Sequence, residues 1–253
     1  MTYLTFHLVF IIPIIFVVHF LERRERTESL PGHVSGIASL VLIAFVYTTP
    51  WDNYLVASNI WSYSDGRIIE ELVIGYVPIE EYLFFVLQPI MTGGFFLLFA
   101  ARLGVNRRAL NHPLKRGKPA LVGLLTFLAI SLLGLACITI LADRYRYLGL
   151  ILIWASPVLG FQWAYGGGLL WRFRKLVITS VALPSLYLWV VDSIAITWGI
   201  WNIVPDTSTG WMIFNLPMEE AIFFLVTNMM VVQGLLLYYQ AFVRLQARKK
   251  NSE

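Results

Sequence analysis

Polar and charged residues along this chain gather in short clusters, and long apolar runs separate them. Seven runs are long enough to cross about 30 Å of hydrocarbon as helices. They are roughly Tyr3–Leu21, Val34–Pro50, Pro78–Ala101, Pro119–Leu141, Tyr147–Trp171, Leu176–Gly199 and Phe214–Phe242. Each is continuously apolar, without the period of two that lipid-facing β-strands show, so the pattern predicts helices and not a barrel. The first run is expected to be a retained span, not a cleaved leader. It has no basic residues before it and no small-residue cleavage site, and the charged stretch Glu22–Glu28 follows it directly.

Composition agrees with this reading. The 253 residues are 58% hydrophobic and 13% charged, about half the charge of a typical soluble domain. That excludes an ordinary cytosolic enzyme, a disordered chain and a disulfide-stapled module. Cys137 is the single cysteine, so no disulfide can form within the chain.

Seven crossings put alternate loops on opposite sides of the membrane. One side then collects Arg23, Arg24, Arg26, Arg102, Arg107, Arg108, Lys115, Arg116, Lys118, Arg172, Arg174, Lys175, Arg244, Arg248, Lys249 and Lys250. The other has only Arg67, Arg144 and Arg146. The excess of basic residues in cytoplasmic loops predicts an outside N-terminus and a cytoplasmic C-terminus. Since topology accounts for the basic clusters, no nucleic-acid partner is expected.

The chain also repeats itself. Pro78-Ile-Glu-Glu-Tyr-Leu-Phe-Phe85 returns as Pro217-Met-Glu-Glu-Ala-Ile-Phe-Phe224, displaced by 139 residues. Tyr47, Asp52, Ile60 and Trp61 return as Tyr187, Asp192, Ile200 and Trp201, displaced by 140. The repeated unit is a helix ending near an Asp, an aromatic loop, and a helix opening with Pro-x-Glu-Glu. The predicted fold is therefore an all-α integral membrane protein with two parallel three-helix repeats joined by a linker helix. Its segments are 1–110, the linker 111–146, 147–243 and a basic cytoplasmic tail 244–253. Three helices plus one linker make an even number of crossings, so both acidic motifs lie at one membrane face and can converge on one cavity.

A proline in the first helical turn with acids behind it is also an ordinary helix start, complementing the helix dipole. A cap, however, needs neither two adjacent carboxylates nor the paired Phe84/Phe85 and Phe223/Phe224. Phe four residues after each Glu shares its helix face, setting a carboxyl beside apolar aromatic surface, where burial favours the neutral acid. Adjacent Glu80 and Glu81 differ by about 100° around a helix, so one of each pair is expected to face a shared cavity. Asp52 and Asp192 are the remaining repeat-related acids, read either as functional groups within a span or as hydrogen-bond partners across the repeats. Trp51, Trp61, Tyr63, Trp198, Trp201 and Trp211 fit an interfacial aromatic belt. The repeat-equivalent positions of Trp61 and Trp201 make these two candidate pocket walls.

Other features carry less. His7 and His19 are some 120° apart on the first helix and are not a paired metal site. Gly166-Gly-Gly168 reads as close packing or a kink rather than a phosphate loop. There is no dinucleotide fingerprint, Walker loop or aspartate-rich DDxxD string, and the last apolar run has no lysine for a retinal Schiff base. What remains is a set of carboxylic acids in an apolar aromatic cavity. That suits protonation of a greasy polyene, with aromatic faces stabilising a carbocation, a carboxylate removing a proton, and no cofactor or metal.

The paired Pro-x-Glu-Glu-x-x-Phe motifs, Pro50-Trp-Asp-Asn-Tyr54 and Ile60-Trp-Ser-Tyr63 resemble the membrane-integral lycopene cyclases, found as two small subunits or as one fused chain. The resemblance covers roughly residues 1–242. It implies lycopene β-cyclase activity: two ring closures turning lycopene into β-carotene through γ-carotene in the cell membrane. Glu80, Glu81, Glu219 and Glu220 are the catalytic positions it implies. Trp51, Trp61, Phe84, Phe85, Trp201, Phe223 and Phe224 are the expected substrate-binding residues, with Asp52 and Asp192 added to the acids. The second repeat departs from the first, with Val190-Val191 in place of Pro50-Trp51 and Ala221 in place of Tyr82. The bifunctional form carrying a phytoene-synthase extension is not implied. Lycopene and γ-carotene are the expected partners, other carotenoid-biosynthesis enzymes are candidates, and nothing in the pattern fixes an oligomeric state.

Two other functions stay open on sequence alone. A carotenoid-binding or transport protein would use the same cavity without chemistry. An intramembrane peptidase with paired glutamates would need a basic residue soon after them and later histidines. Here Tyr82-Leu-Phe84 and Ala221-Ile-Phe223 follow the glutamates, and no histidine comes after His112.

Overall fold

A computed structural model of the chain describes residues 1–25, 30, 33–111 and 117–250. Arg26, Glu28, His112, Lys115 and Arg116, which entered the sequence reading, lie outside the described residues. Among the described residues, seven helices are long and apolar enough to cross a membrane. They are α1 (Tyr3–Glu25), α2 (His33–Ala57), α3 (Ile79–Arg102), α4 (Gly117–Thr139), α5 (Arg146–Arg172), α6 (Arg174–Thr197) and α7 (Met218–Lys250). Large apolar side chains such as Phe16, Ile43, Leu132, Phe161 and Ile178 stand exposed on their outer faces. That pattern suits hydrocarbon and would be costly in water.

Two spans differ from the apolar-run boundaries. The second does not stop at Pro50 but continues to Ala57 with the proline inside it. Pro89, Pro157 and Pro184 are likewise interior. Packed transmembrane helices tolerate such prolines because neighbouring groups satisfy the freed backbone. Asp52 consequently lies within α2, more than a turn before its end. The last span begins at Met218, because Phe214 sits in a turn with φ of 57°. It then runs on to Lys250 through Val243–Lys250, which contains neither Gly nor Pro and is rich in good helix formers.

The helices pack as α1 on α3, α2 on α3 and α7, α3 on α6, and α5 and α6 on α7. The fourth helix runs along α5 and touches little else. Small residues allow that approach. A Cβ on Gly167 would lie 2.6 Å from the Ala120 Cα, and Gly134 and Gly149 admit each other's backbone at about 3 Å. Gly166 breaks helical geometry with φ −135° and ψ 24°, so the glycine triplet supplies both a kink and a close contact.

At one end, the loops after α2 and α6 carry β1 (Trp61–Tyr63), β2 (Val73–Ile74), β3 (Val77–Pro78), β4 (Trp201–Ile203), β5 (Met212–Ile213) and β6 (Leu216–Pro217). The β2–β3 and β5–β6 pairs are hairpins that lead directly into α3 and α7. The first turns on Gly75 (φ 71°), where a Cβ would also strike the Asn53 Oδ1 at 2.2 Å. The β1–β4 pair joins the two loops antiparallel, with Trp61 opposite Ile203, Ser62 opposite Asn202, and Tyr63 opposite Trp201. At the other end Arg102 meets Glu25 at 3.2 Å, an exposed pair of little energetic weight.

Candidate active site

Each acidic motif opens a helix straight out of a hairpin. Pro78 is the N-cap of α3, in extended conformation (φ −71°, ψ 155°), and Glu80 and Glu81 occupy the first turn. Glu219 and Glu220 stand in the same place on α7. All four carboxyls are buried, and within each pair they have different partners.

The first Glu of each pair turns toward its own loop. Glu80 Oε1 accepts the Ile69 N–H at 2.9 Å, and Glu219 Oε1 accepts the Thr209 N–H at 2.7 Å. The second Glu meets tyrosine. Glu81 Oε2 accepts from the Tyr3 hydroxyl at 2.7 Å and from the Tyr63 hydroxyl at 3.1 Å. Glu220 Oε1 accepts from the Tyr147 hydroxyl at 2.5 Å.

Glu81 and Glu220 line one small cavity of about 30 Å³. Tyr3, Phe6, Trp61, Tyr63, Phe84, Leu188, Val191, Asp192, Trp201, Phe223 and Phe224 complete its wall, with no basic side chain among them. Of the expected residues, Glu81, Glu220, Asp192, Trp61, Trp201, Phe84, Phe223 and Phe224 therefore converge there. Glu80 and Glu219 back the wall without lining it. Phe84, three residues after Glu81, lines the cavity beside it, whereas Phe85 turns elsewhere. The shared-face expectation of four-residue spacing thus holds less well on this helix than a three-residue one.

A second chamber, about 140 Å³, adjoins the first across Phe84 and Phe223, which belong to both walls. Tyr47, Phe85, Gln88, Trp154, Gln162 and Thr227 also line it, and exposed Ile43 stands at its outer side. Trp51 packs on both Trp154 and Phe223 at centroid distances of 4.5 and 5.6 Å, those two rings also meet at 5.9 Å, and Trp51 meets Trp61 edge-on. Asp52 is fully buried, and its carboxyl oxygens have no hydrogen-bond partner among the described residues. Asp192 lies against Trp201 in the cavity wall. A bond directly between repeats is thus not the explanation for Asp52.

Sequence reasoning missed Tyr3, Tyr147, Phe6, Leu188 and Val191, and took Tyr63 as part of an aromatic belt. A signal existed: Tyr3 and Tyr147 are the first residues of their apolar runs. Trp198 and Trp211 remain belt-like, both exposed. His7, inside a π-helical turn at His7–Ile11, donates from Nε2 to the Glu80 carbonyl at 2.9 Å, while His19 Nδ1 bonds the Ile15 carbonyl.

Deeper between the helices, Asn228 Oδ1 accepts from Gln88 and Thr92, both at 2.6 Å, and its amide donates to Ser185 Oγ at 3.0 Å. This ties α3, α6 and α7 together below the cavity. Two longer crossings flank it: Tyr47 donates to the Trp154 carbonyl at 2.8 Å, and Tyr187 to the Phe10 carbonyl at 2.7 Å.

A cavity holding the carboxyls of Glu81, Asp192 and Glu220 among aromatic rings can donate a proton, stabilise a cation and accept a proton back. The lycopene cyclase family matches residues 1–99 and 144–238, which are the two motif-bearing parts. The lycopene beta-cyclase of Halobacterium salinarum is 38% identical over 216 residues, 85% of this chain and 87% of that protein. The bifunctional lycopene cyclase/phytoene synthase of Aspergillus niger is 40% identical over 200 residues, 79% of this chain and 34% of that protein. That of Neurospora crassa is 34% identical over 214 residues, 82% and 35% of the two lengths. No solved structure matches. With both motif-bearing parts matched, the chain belongs to the lycopene cyclase family.

Proposed function

We propose that this protein is a lycopene β-cyclase of the cell membrane, closing both ends of lycopene in turn, through γ-carotene, to β-carotene. The observation that carries the reading is the convergence of Glu81 and Glu220, one from each motif copy, on one aromatic cavity. A protonated Glu gives its proton to C2 of the terminal C1=C2 bond. The C5=C6 bond closes on the C1 cation, and a carboxylate takes the C6 proton. The rings of Trp61, Trp201, Phe84, Phe223 and Phe224 face the passing cation. The net change is isomerisation, which needs no redox cofactor. The adjoining chamber, open beside Ile43, suits the polyene tail, and Trp51 and Phe85 belong to its surroundings.

The reading includes two parallel three-helix repeats, α1–α3 and α5–α7, related by an axis near the membrane normal. Paired contacts support it. Tyr3 to Glu81 matches Tyr147 to Glu220, Ile69 to Glu80 matches Thr209 to Glu219, and Tyr47 to Trp154 matches Tyr187 to Phe10. The β1–β4 ladder sets Ser62 opposite its own counterpart, Asn202, as a two-fold axis through that pair requires. With the basic loops cytoplasmic, the N-terminus is outside and the cavity lies toward the outer face.

Pigments extracted from a lycopene-accumulating host that expresses the protein test this reading. β-Carotene supports it. Lycopene bound to the purified protein and unchanged would instead mark a carotenoid carrier.

A further inference from the structure

The two cavity glutamates are not equivalent, and the difference comes from the loops. Glu81 Oε2 accepts two phenolic hydrogen bonds, from Tyr3 and Tyr63. Glu220 accepts one, from Tyr147. The second donor is missing because the position equivalent to Tyr63 is Ile203, which has no proton to give. Tyr63 is held in place by the β1–β4 ladder, opposite Trp201, and its ring stacks near Tyr3 at 6.3 Å. Burial and the Glu81 carboxylate beside it, with Asp52 and Tyr3 adding to the effect, push the Tyr63 phenol well above its ordinary value. It therefore stays a neutral donor.

Hydrogen bonds to the charged form of a carboxyl favour that form, and each further donor adds to the preference. From this asymmetry we infer that Glu81 is the base of the ring closure, Glu220 is the acid, and Tyr63 is the positioning residue that separates their roles. The inference rests on the cyclase reading and assigns the step within it.

The step balances. The Glu220 carboxyl proton goes to C2, the C1=C2 π pair becomes the new C2–H bond, and the cation sits at C1. The C5=C6 π pair forms the C1–C6 bond and moves the cation to C5. Glu81 takes the C6 proton, and that C–H pair becomes the C5=C6 bond of the β-ring. Glu220 is left as carboxylate and Glu81 as acid. A proton passing from Glu81 to Glu220 within their shared cavity resets the pair.

The assignment predicts products as well as rates. A base that is weakened or misplaced leaves the C5 cation to lose a proton from C4 or from the C5 methyl, giving rings other than β. A weakened acid slows ring formation and leaves the ring type alone. The protein in lipid vesicles is given lycopene, and the end groups are resolved by chromatography and mass spectrometry. In Tyr63→Phe the share of non-β rings is expected to rise by about tenfold, the weight of one hydrogen bond to a charged group. Tyr147→Phe is expected to slow turnover and still make β-rings only. Glu81→Gln should close rings that end incorrectly, whereas Glu220→Gln should leave lycopene open.

A purely structural tyrosine would change the yield and not the ring type. Non-β rings from Tyr147→Phe or Glu220→Gln, or β-rings only from both Tyr63→Phe and Glu81→Gln, would overturn the assignment. If the wild-type protein leaves lycopene unchanged, the cyclase reading itself fails. If the wild type makes β-carotene and the Tyr63 and Glu81 variants make only β-rings, the acid–base assignment alone fails.

Discussion

The Tyr147 hydroxyl donates to Oε1 of Glu220, tying the first turn of α5 to the first turn of α7. Tyr3 and Glu81 make the matching bond between α1 and α3. Each carboxyl is thus held by the helix two places before its own, α1 for α3 and α5 for α7. The loop-facing glutamates are anchored instead by backbone N–H groups of the hairpin loops.

That division separates the four glutamates experimentally. Glu81→Gln and Glu220→Gln are expected to lower β-carotene formation by about 10²–10⁴-fold, the usual weight of a general acid or base. Glu80→Gln and Glu219→Gln keep an amide oxygen for the Ile69 and Thr209 N–H groups and should stay within about tenfold of wild type. Individual rates in lycopene-loaded vesicles decide it, and equal losses at all four positions would contradict the geometry.

Tyr63 gives a pH dependence with a defined sign. Its phenol is raised in the folded protein, so unfolded chains ionise first as pH rises past about 10. Stability from this group is complete below that pH and is lost as pH climbs toward the folded value. Thermal unfolding between pH 8 and about 11 should therefore show a shallower alkaline decline in Tyr63→Phe than in wild type. Parallel declines would mean that the phenol ionises equally in both states.

Asn228, on α7, gathers three side chains from two other helices, Gln88 and Thr92 of α3 and Ser185 of α6. Asn228→Leu removes the shared partner and leaves Gln88, Thr92 and Ser185 to find others within a buried site. Each group orphaned this way costs about 1–3 kcal/mol. A lowered unfolding temperature in detergent is expected, and an unchanged one would show that the three groups repair the network among themselves.

Gly167 admits the α4 backbone. A valine there drives its Cβ into Ala120 and should cost about 1–3 kcal/mol as an overpacked contact. Because Gly167 is not part of the cavity lining, the same variant should form β-carotene at low temperature. The test is its unfolding midpoint compared with its activity at low temperature.

Much of this architecture was legible in the order of residues. Continuous apolar runs over lengths that match the bilayer marked seven spans, and the doubled Pro-x-Glu-Glu string marked the two helix starts that meet at one cavity. The angle between adjacent helix positions implied that one Glu of each pair would face the cavity. Which one it is depends on the loops, since Ile69 and Thr209 claim the first Glu and leave the second to tyrosine. Tyr3 and Glu81 are 78 positions apart, and no local period reports such a bond. Pro50 misled in the opposite way. Read as a helix end, it placed Asp52 near a boundary, whereas packing against α3 and α7 carries α2 through the proline and buries that carboxyl.

On the proposed two-repeat reading, the fourth helix, which lies on α5 and adds no residue to the cavity lining, acts as a tether. In a bilayer, two separate halves would have to meet by diffusion before Ser62 could face Asn202. Joined through α4, they meet as parts of one molecule, at an effective concentration of about millimolar for a short link. The finished cavity then no longer depends on how thinly the protein is spread in the membrane.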